Sequence, residues 1–240
     1  MSRLDLDSPV GQWVAERPNT SRVFEAFQID YCCGGDKSLR QVCAERRLDT
    51  GDVLRQLDAA EADSVGASAN RWDLETLTAL CDHIESNHHA YLKSELPRLQ
   101  TMIAKVVGAH GASHPEMKEV ASAFAALQAE LVPHMFKEEQ ILFPAIRRLE
   151  LANSGGSFPF GTVANPIRMM EHEHESAGDA LSRIRRATGD YQIPHDACNT
   201  YRAMLDGLRR LELDLHEHIH KENNILFPRA IRRELEIPHS

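Results

Sequence analysis

An eleven-residue segment that could bind metal occurs twice in this chain. The first copy, His134 to Pro144, reads H-M-F-K-E-E-Q-I-L-F-P, and the second, His218 to Pro228, reads H-I-H-K-E-N-N-I-L-F-P. Seven of the eleven positions are identical, including a His and the Glu four residues after it. Because residues four apart lie on one face of a helix, each copy directs an imidazole and a carboxylate toward the same point. Two such helices could hold a metal centre together.

Two further histidines complete the candidate site. His174 lies on the apolar seam of another predicted helix, whereas His172 falls off that seam. In the first long helix both His88 and His89 lie on apolar seams, and we prefer His89 because its apolar continuation is stronger. The candidate metal ligands are therefore His89, His134, Glu138, His174, His218 and Glu222.

Four imidazoles and two carboxylates at one level predict a metal pair rather than a hydrogen-bonded core. Buried carboxylates are costly without cations, so we expect Glu138 and Glu222 to bridge two ions that each hold two histidines. Six ligands are more than one tetrahedral zinc ion can bind, and the set contains no thiolate. Carboxylate-bridged iron or manganese suits the set, and its many histidines favour iron. The His-first order differs from the Glu-x-x-His of ferritin-like sites.

Long amphipathic stretches separated by Gly- and Pro-rich segments must position these residues. They cover residues 73–107, 116–149, 166–188 and 196–234. Helices of this length with such connections predict an all-α fold, an antiparallel four-helix bundle.

Within the bundle helices, three-four spacing predicts which residues face inward. The seams include Ile141 in the first copy and Ile225 in the second. Pro133 and the Phe-Pro pair that ends each copy predict kinks or helix ends, because proline lacks an amide donor and crowds the preceding turn.

Other polar residues near the motifs have simpler interpretations. We read Glu139, Glu173 and Glu175 as solvated, although one of them could orient a ligating imidazole. The remaining histidines read as surface residues or as residues that support the ligands: His83, His110, His114, His195, His216, His220 and His239.

The first 63 residues predict a separate small helical domain. Short helices are expected at Val10–Glu16, Ser21–Phe27, Leu39–Arg46 and Asp52–Glu61. Residues 64–72 read as a linker to a bundle domain spanning 73–240. The sequence leaves open whether the small domain docks on its own bundle or on a second chain of a homodimer.

The adjacent cysteines Cys32 and Cys33 stand before two glycines and a helix that begins near Ser38. The helix N-terminus and Lys37 favour the thiolate form. A disulfide between neighbours would strain the connecting peptide. We interpret the pair as functional thiols: a redox relay, a transient iron or cluster ligand, or a docking element. The alternative is a pair of small buried residues in a turn.

Composition narrows the class of protein. The 240 residues are 42% hydrophobic and 26% charged, as in soluble globular proteins, and the net charge of -9 argues against a nucleic-acid or anionic-membrane surface. There is no membrane-length apolar run and no signal pattern. Five cysteines without framework spacing fit a reducing compartment, so we expect a cytoplasmic protein. Three of them read as core residues: Cys43, Cys81 and Cys198.

These motifs resemble those of known proteins. The bundle is similar to the hemerythrin-like di-iron fold. With the N-terminal D-Y-C-C-G-G of Asp30–Gly35 and E-H-E-x-A-G around His174, the chain resembles the repair of iron centres (RIC) family over nearly its whole length. The resemblance implies two iron ions and favours His89 over His88. The iron ligands that it implies are His89, His134, Glu138, His174, His218 and Glu222.

The resemblance also implies a function. Proteins of this family restore iron–sulfur clusters damaged by nitric oxide or peroxide, so damaged iron–sulfur proteins would be the partners. Histidine and carboxylate hold ferrous iron less tightly than sulfide and thiolate do, so iron could pass to a vacant cluster corner. Two alternatives stay open: a di-iron enzyme that reduces nitric oxide or oxygen, and a carrier or sensor that only binds these gases. The cysteine pair argues against a simple carrier.

Overall fold

The N-terminal unit is a cluster of short helices. The computed structural model describes residues 4–62, 71–152 and 158–237. The helices are α1 (Val10–Glu16), a 3-10 turn (Pro18–Thr20), α2 (Ser21–Ala26), α3 (Leu39–Arg46) and α4 (Thr50–Ala62). Ser38 begins α3 by accepting a hydrogen bond from the Gln41 amide at 3.2 Å. Trp13, Phe24 and Leu57 are fully or almost fully buried in the apolar core of this unit.

Four long helices follow, and π-helical turns interrupt three of them. The first comprises α5 (Leu77–His83), a π turn (Ile84–His89) and α6 (Ala90–His110). The second comprises α7 (Met117–Lys137), a π turn (Glu138–Leu142) and α8 (Phe143–Leu151). The third is α9 (Ala164–Ala187). The fourth comprises α10 (Asn199–Lys221), a π turn (Glu222–Leu226) and α11 (Phe227–Glu236).

The predicted all-α bundle is confirmed. Helix α7 packs against α6 and α9, and α10 packs against α6. No residue in the described ranges belongs to a β-strand, and none of the helices there has the length and apolar character of a membrane span. The predicted linker at 64–72 lies mostly outside the described residues, and the domain bounds stay a prediction.

The repeated prolines coincide with π turns instead of helix ends. Pro144 and Pro228 have no amide to donate to the carbonyl four residues earlier. The amide before each proline donates five residues back: Phe143 N–H to the Glu138 carbonyl, and Phe227 N–H to the Glu222 carbonyl. Turns of this kind are rare and are frequent at functional sites.

Of the two predicted alternatives at these prolines, helix ends are excluded, and kinks stay a prediction. Helix α7 runs through Pro133 to Lys137, and α6 likewise contains Pro97. Both Phe-Pro pairs lie at the start of a helical segment that continues the same long helix.

A polar layer separates two apolar cores along the bundle. One core gathers residues of α6, α7, α9 and α10, including Leu96 and Phe124. The other gathers residues of α5, α8, α11 and the beginning of α9, together with Ala15 of α1. Along each long helix the candidate ligands lie at the level where the residues of one core give way to those of the other. The candidate site is thus enclosed by apolar packing on both sides.

The set of residues that faces inward shifts by one position at the second π turn, Glu138–Leu142. Ile141, predicted to face inward, is 46% exposed, and the next residue, Leu142, is buried. The wider turn inserts an extra residue, so simple three-four spacing no longer holds beyond Glu138. Ile225 at the equivalent position of the second copy is buried because α1 covers it, as its shared core with Ala15 shows.

Candidate metal centre

The six predicted ligands converge in the polar layer. His89 ends one π turn, Glu138 and Glu222 begin the other two, and His174 projects from α9. The donor atoms form two groups, within each of which they lie no more than 4.8 Å apart. One group is His89, His218, Glu138 and Glu222, and the other is His134, His174, Glu138 and Glu222; all are buried.

Each group joins histidines from opposite halves of the bundle, where the first half consists of α5 to α8 and the second half of α9 to α11. His89 of the first half pairs with His218 of the second, while His134 of the first half pairs with His174 of the second. Both carboxylates belong to both groups. The two halves therefore form one centre instead of two separate sites.

The donors of this layer fit a pair of cations. Both carboxylate oxygens of Glu138 and Glu222, and the Nε2 atoms of His89 and His218, make no well-formed hydrogen bond among the described residues. The contacts that these carboxylates make are ion-pair contacts of 3.1 to 3.3 Å with the Nε2 atoms of the four histidines. The Nε2 atoms of the other two histidines lie 3.1 Å apart. Buried polar atoms without partners are costly, and two cations between these atoms would satisfy them. A nitrogen and oxygen donor set without sulfur fits iron.

Electrostatics favours ionised carboxylates here. Burial opposes ionisation of Glu222, but His218 and His174 hold its pKa well below the usual value. Burial likewise opposes the charged form of His134, yet Glu138 and Glu222 raise its pKa to about 9. At His218 burial prevails and lowers the pKa. Cations entering this layer must therefore displace protons.

The outer ring nitrogen of three of these histidines donates to a neighbouring side chain. The pairs are His89 Nδ1 with Glu139 at 2.9 Å, His134 Nδ1 with Glu173 at 2.8 Å, and His174 Nδ1 with Asn223 at 2.8 Å. A proton held on Nδ1 leaves the Nε2 lone pair free and directed into the layer.

Two of these acceptors correct the sequence interpretation. Glu139 and Glu173 are bound to histidine and also to a lysine, Lys93 at 2.6 Å and Lys137 respectively, so they are not simply solvated. Only Glu175 is exposed as expected, with its carboxylate 3.6 Å from the exposed His172.

His218 has different surroundings. Its Nδ1 has no hydrogen-bond partner among the described residues. The ring of His88 stacks parallel to it, with centroids 5.3 Å apart. His88 Nδ1 donates to Asp214 at 2.9 Å, and Lys221 donates to His88 Nε2 at 2.8 Å. Both nitrogens of His88 are therefore engaged outside the polar layer, in agreement with the preference for His89.

The cysteine pair lies in a loop organised around Asp30. The Asp30 carboxylate accepts the backbone amides of Cys32, Cys33 and Gly34, each at 3.0 Å. It also accepts the Cys32 thiol at 3.2 Å. The loop amides thus converge on the Asp30 carboxylate and not on a cysteine sulfur.

The predicted thiolate form is wrong for Cys32. Its hydrogen bond with Cys33, its burial and the charge of Asp30 raise the pKa of the Cys32 thiol well above the usual range. Lys37, expected to favour the thiolate, instead binds Glu45 at 2.8 Å.

The cysteine loop packs directly against the bundle. Asn224 in the second copy donates to the carbonyl oxygens of Tyr31 at 3.3 Å and Cys32 at 3.0 Å. A Cβ atom on Gly11 or Gly35 would lie 2.3 Å from the Asn224 side-chain oxygen, so glycine permits this approach. The small domain thus docks on the bundle of its own chain.

Sequence reasoning missed the contribution of His220 to this interface. His220 is 4% exposed, its Nδ1 donates to the Tyr31 carbonyl at 3.4 Å, and its ring meets the edge of the Tyr31 ring at 5.5 Å. The only signal was its place one helical turn before Asn224, on the same face. Another histidine, His83, stacks on Trp72 at 3.9 Å, outside the candidate centre.

The other cysteines separate into two environments. Cys43 and Cys81 are buried, as predicted. Cys198 is exposed at the start of α10, so its assignment to the core is wrong. All five cysteines are free.

Comparison with known proteins covers both units. The hemerythrin HHE cation binding domain matches residues 82–230. A domain of unknown function named ScdA_N matches residues 6–61. Proteins named iron-sulfur cluster repair protein YtfE from Yersinia pestis (strain Pestoides F) and Yersinia pseudotuberculosis serotype IB (strain PB1/+) are each 37% identical over 217 residues. These matches cover 90% of this chain and 93% of each relative.

Proposed function

This chain belongs to the family of hemerythrin HHE cation-binding proteins, and from that premise we propose that it repairs damaged iron–sulfur clusters by donating iron. The relatives named as iron–sulfur cluster repair proteins support this proposal because the similarity spans 90% of the chain. Clusters damaged by nitrosative or oxidative stress are the proposed targets, and the proteins that carry them are the proposed partners.

Iron is the cargo in this proposal, bound as two ions. The proposed ligands are His89, His134, Glu138, His174, His218 and Glu222. The observation that carries the proposal is the shared position of Glu138 and Glu222 in both donor groups, where their buried oxygens face the Nε2 atoms of four histidines without a well-formed hydrogen bond among the described residues. Two bridging carboxylates between four imidazoles suit a pair of ferrous ions.

The donor chemistry favours release toward a cluster. Carboxylate oxygen and imidazole nitrogen are harder ligands than sulfide and thiolate, so they hold ferrous iron less tightly than a vacant cluster corner does. Transfer in that direction is downhill. The polar layer supplies the ligands that exchange iron for protons, because imidazole and carboxylate both accept a proton when the metal leaves.

Cys32 and Cys33 are proposed to contribute thiol chemistry to the same function. Cys33 Sγ donates to the carbonyl oxygen of His174 at 3.7 Å, so the pair is in contact with the backbone of a proposed iron ligand. That contact supports a role in iron handling over one in remote docking.

An anaerobic transfer assay tests the proposal. Iron-loaded protein is mixed with a [4Fe–4S] hydratase damaged by nitric oxide, and recovered hydratase activity is recorded together with iron lost from the donor. We expect recovery to match iron loss in the native protein and to be absent in Glu138→Leu. Glu236→Leu removes an exposed carboxylate in α11 and is the matched control, expected to behave as the native protein.

A second candidate function is the reduction of nitric oxide. Each donor group contains four residues, which leaves positions for a small molecule on a six-coordinate iron. Repeated consumption of nitric oxide without hydratase recovery would support that function and contradict donation.

A further inference from the structure

A second cluster of metal-binding groups lies outside the polar layer, at Asp30, Cys32 and Cys33. One donor atom from each residue lies within 4.8 Å of the others. The two sulfur atoms are 4.0 Å apart, which with metal–sulfur bonds of about 2.3 Å corresponds to an S–metal–S angle of about 120°. Asp30 Oδ1 is 3.2 Å from Cys32 Sγ. These separations fit one metal ion with two sulfur ligands and one oxygen ligand.

The loop is organised before any metal arrives. Three successive amides hold the Asp30 carboxylate at 3.0 Å, which fixes its position relative to both sulfur atoms. From the bundle side, Asn224 holds the carbonyl oxygens of Tyr31 and Cys32. Ligands held in this way lose little conformational freedom on binding.

The cluster lies between the candidate metal centre and a cavity. Cys33 Sγ is 3.7 Å from the His174 carbonyl oxygen on one side. On the other side, Asp30, Cys32 and Cys33 line a cavity of about 470 Å³ between the small domain and the bundle. Five carboxylates line this cavity against two arginines, and one of those arginines, Arg185, already binds Glu212 at 2.7 Å. A cavity with this excess of negative charge attracts cations.

We propose that Asp30, Cys32 and Cys33 form a transfer site for a divalent thiophilic metal ion, through which ferrous iron leaves the centre. The inference deepens the proposed function and rests on it. Iron stays ferrous throughout: its bonds to imidazole nitrogen and carboxylate oxygen break, and bonds to two sulfurs and one Asp30 oxygen form. The two thiol protons pass to solvent in the cavity, and no oxidant or reductant is needed.

A metal titration tests the site directly. The full-length protein, with its centre already filled with iron, is titrated anaerobically with Co²⁺, and the near-ultraviolet thiolate-to-cobalt band and the bound cobalt are measured. We expect one additional ion per chain with a thiolate band. Cys33→Ser leaves one thiolate ligand and should reduce the band to about half or less, whereas the double variant Cys32→Ser, Cys33→Ser should abolish it. Asp30→Asn should weaken Co²⁺ binding by about tenfold. Cys198→Ser is the matched control, because Cys198 is exposed and distant in sequence, and it should leave the band unchanged.

A measurement on the native chain keeps the test independent of how the variants fold. One equivalent of Co²⁺ should protect Cys33 from alkylation and leave the exposed Cys198 reactive, as read by peptide mass spectrometry. Absence of a thiolate band, persistence of the full band in Cys33→Ser, or alkylation of Cys33 at an unchanged rate would each overturn the transfer site.

The two proposals fail in different ways. If the double variant Cys32→Ser, Cys33→Ser binds no Co²⁺ but restores the hydratase at the native rate, the transfer site is excluded while iron donation stands. If the native protein binds Co²⁺ as expected but restores no hydratase, donation is excluded while the metal site stands.

Discussion

Each half of the bundle supports one inner histidine with its own residues, His89 in the first half and His174 in the second, and the supporting contacts match. The residue after each shared glutamate accepts the Nδ1 proton of a histidine from a neighbouring helix: Glu139 from His89, and Asn223 from His174. A phenylalanine stacks on each of these histidines, Phe143 on His89 and Phe227 on His174. The repeated segment thus supports a ligand as well as supplying two.

The halves differ at the residue that precedes the histidine outside the repeated segment, which is His89 in the first half and His174 in the second. In the second half this residue is Glu173, which accepts the Nδ1 proton of His134. In the first half it is His88, which stacks on His218 and leaves the His218 Nδ1 without a partner among the described residues. Because an acceptor at Nδ1 raises the basicity of a ligating imidazole, we infer weaker cation binding at the His89 and His218 group.

The halves also differ on their outer face. Ile225 and His220 of the second copy are buried beneath the small domain, whereas the equivalent Ile141 and Phe136 of the first copy are 46% and 63% exposed. Identical inner residues therefore coexist with outer residues suited to different neighbours. Residues common to both copies make the centre, and residues particular to one copy, such as Asn224, hold the cysteine loop.

The largest expected effect comes from either shared carboxylate. Glu138 and Glu222 belong to both donor groups. Glu138→Leu and Glu222→Leu should therefore each lower the affinity for both ions by at least about 100-fold. Metal content per chain after dialysis checks this, with Glu236→Leu as the control. Retention of one ion in either variant would show that one carboxylate is enough for one donor group, against a carboxylate pair that both groups need.

His134, the first residue of the first repeated segment, should make stability depend on pH in the metal-free protein. The folded pKa of His134 is about 9, above its unfolded value of 6.5, so its stabilising contribution is complete below pH 6.5 and is lost as the pH rises through 9. We expect unfolding by denaturant to require about 3 kcal/mol less at pH 9.5 than at pH 6.5. The same comparison in His134→Gln should show no such loss; an equal loss there would assign it to another group.

Weakening the contact between the small domain and the second half of the bundle should expose the residues of the second copy that this contact buries. A Cβ atom at position 35 would lie 2.3 Å from the Asn224 oxygen and 2.7 Å from the Tyr31 carbonyl, so Gly35→Ala should weaken docking by about 2 kcal/mol. Hydrogen exchange of residues 31–35 should then be faster. Gly108→Ala, where a Cβ atom meets nothing within 4 Å, is the control. Unchanged exchange in Gly35→Ala would mean that the loop tolerates the displacement.

The smallest effect tests the difference at residue 88. His88→Glu provides His218 with an acceptor like Glu173 and should slow release of the more weakly held ion to a chelator by about tenfold. His172→Glu makes the same change at an exposed position of α9 and should alter nothing. Faster release in His88→Glu would show that stacking on His218 matters more than hydrogen bonding.

Much of the site could be predicted because it depends on local periodicity. His134 with Glu138, and His218 with Glu222, are four residues apart on helices, so their convergence follows from helical geometry alone. The helix positions also followed from amphipathic spacing, and helices α1 and α3 begin and end where expected. Spacing failed at Ile141, where the π turn inserts a residue that no three-four pattern includes.

Sequence determined the residues that could bind metal, the helices that carry them and the presence of a cysteine-containing small domain. Each of these follows from residue types and their spacing over short stretches of the chain. Tertiary structure decided which histidines share a donor group, because His89 meets His218 only through the packing of α10 against α6 and the π turn before it. It also placed Cys32 where its contact with Cys33, its burial and the charge of Asp30 raise the pKa of its thiol. Pairing and protonation depend on distances between segments far apart in the chain, and only folding sets those distances.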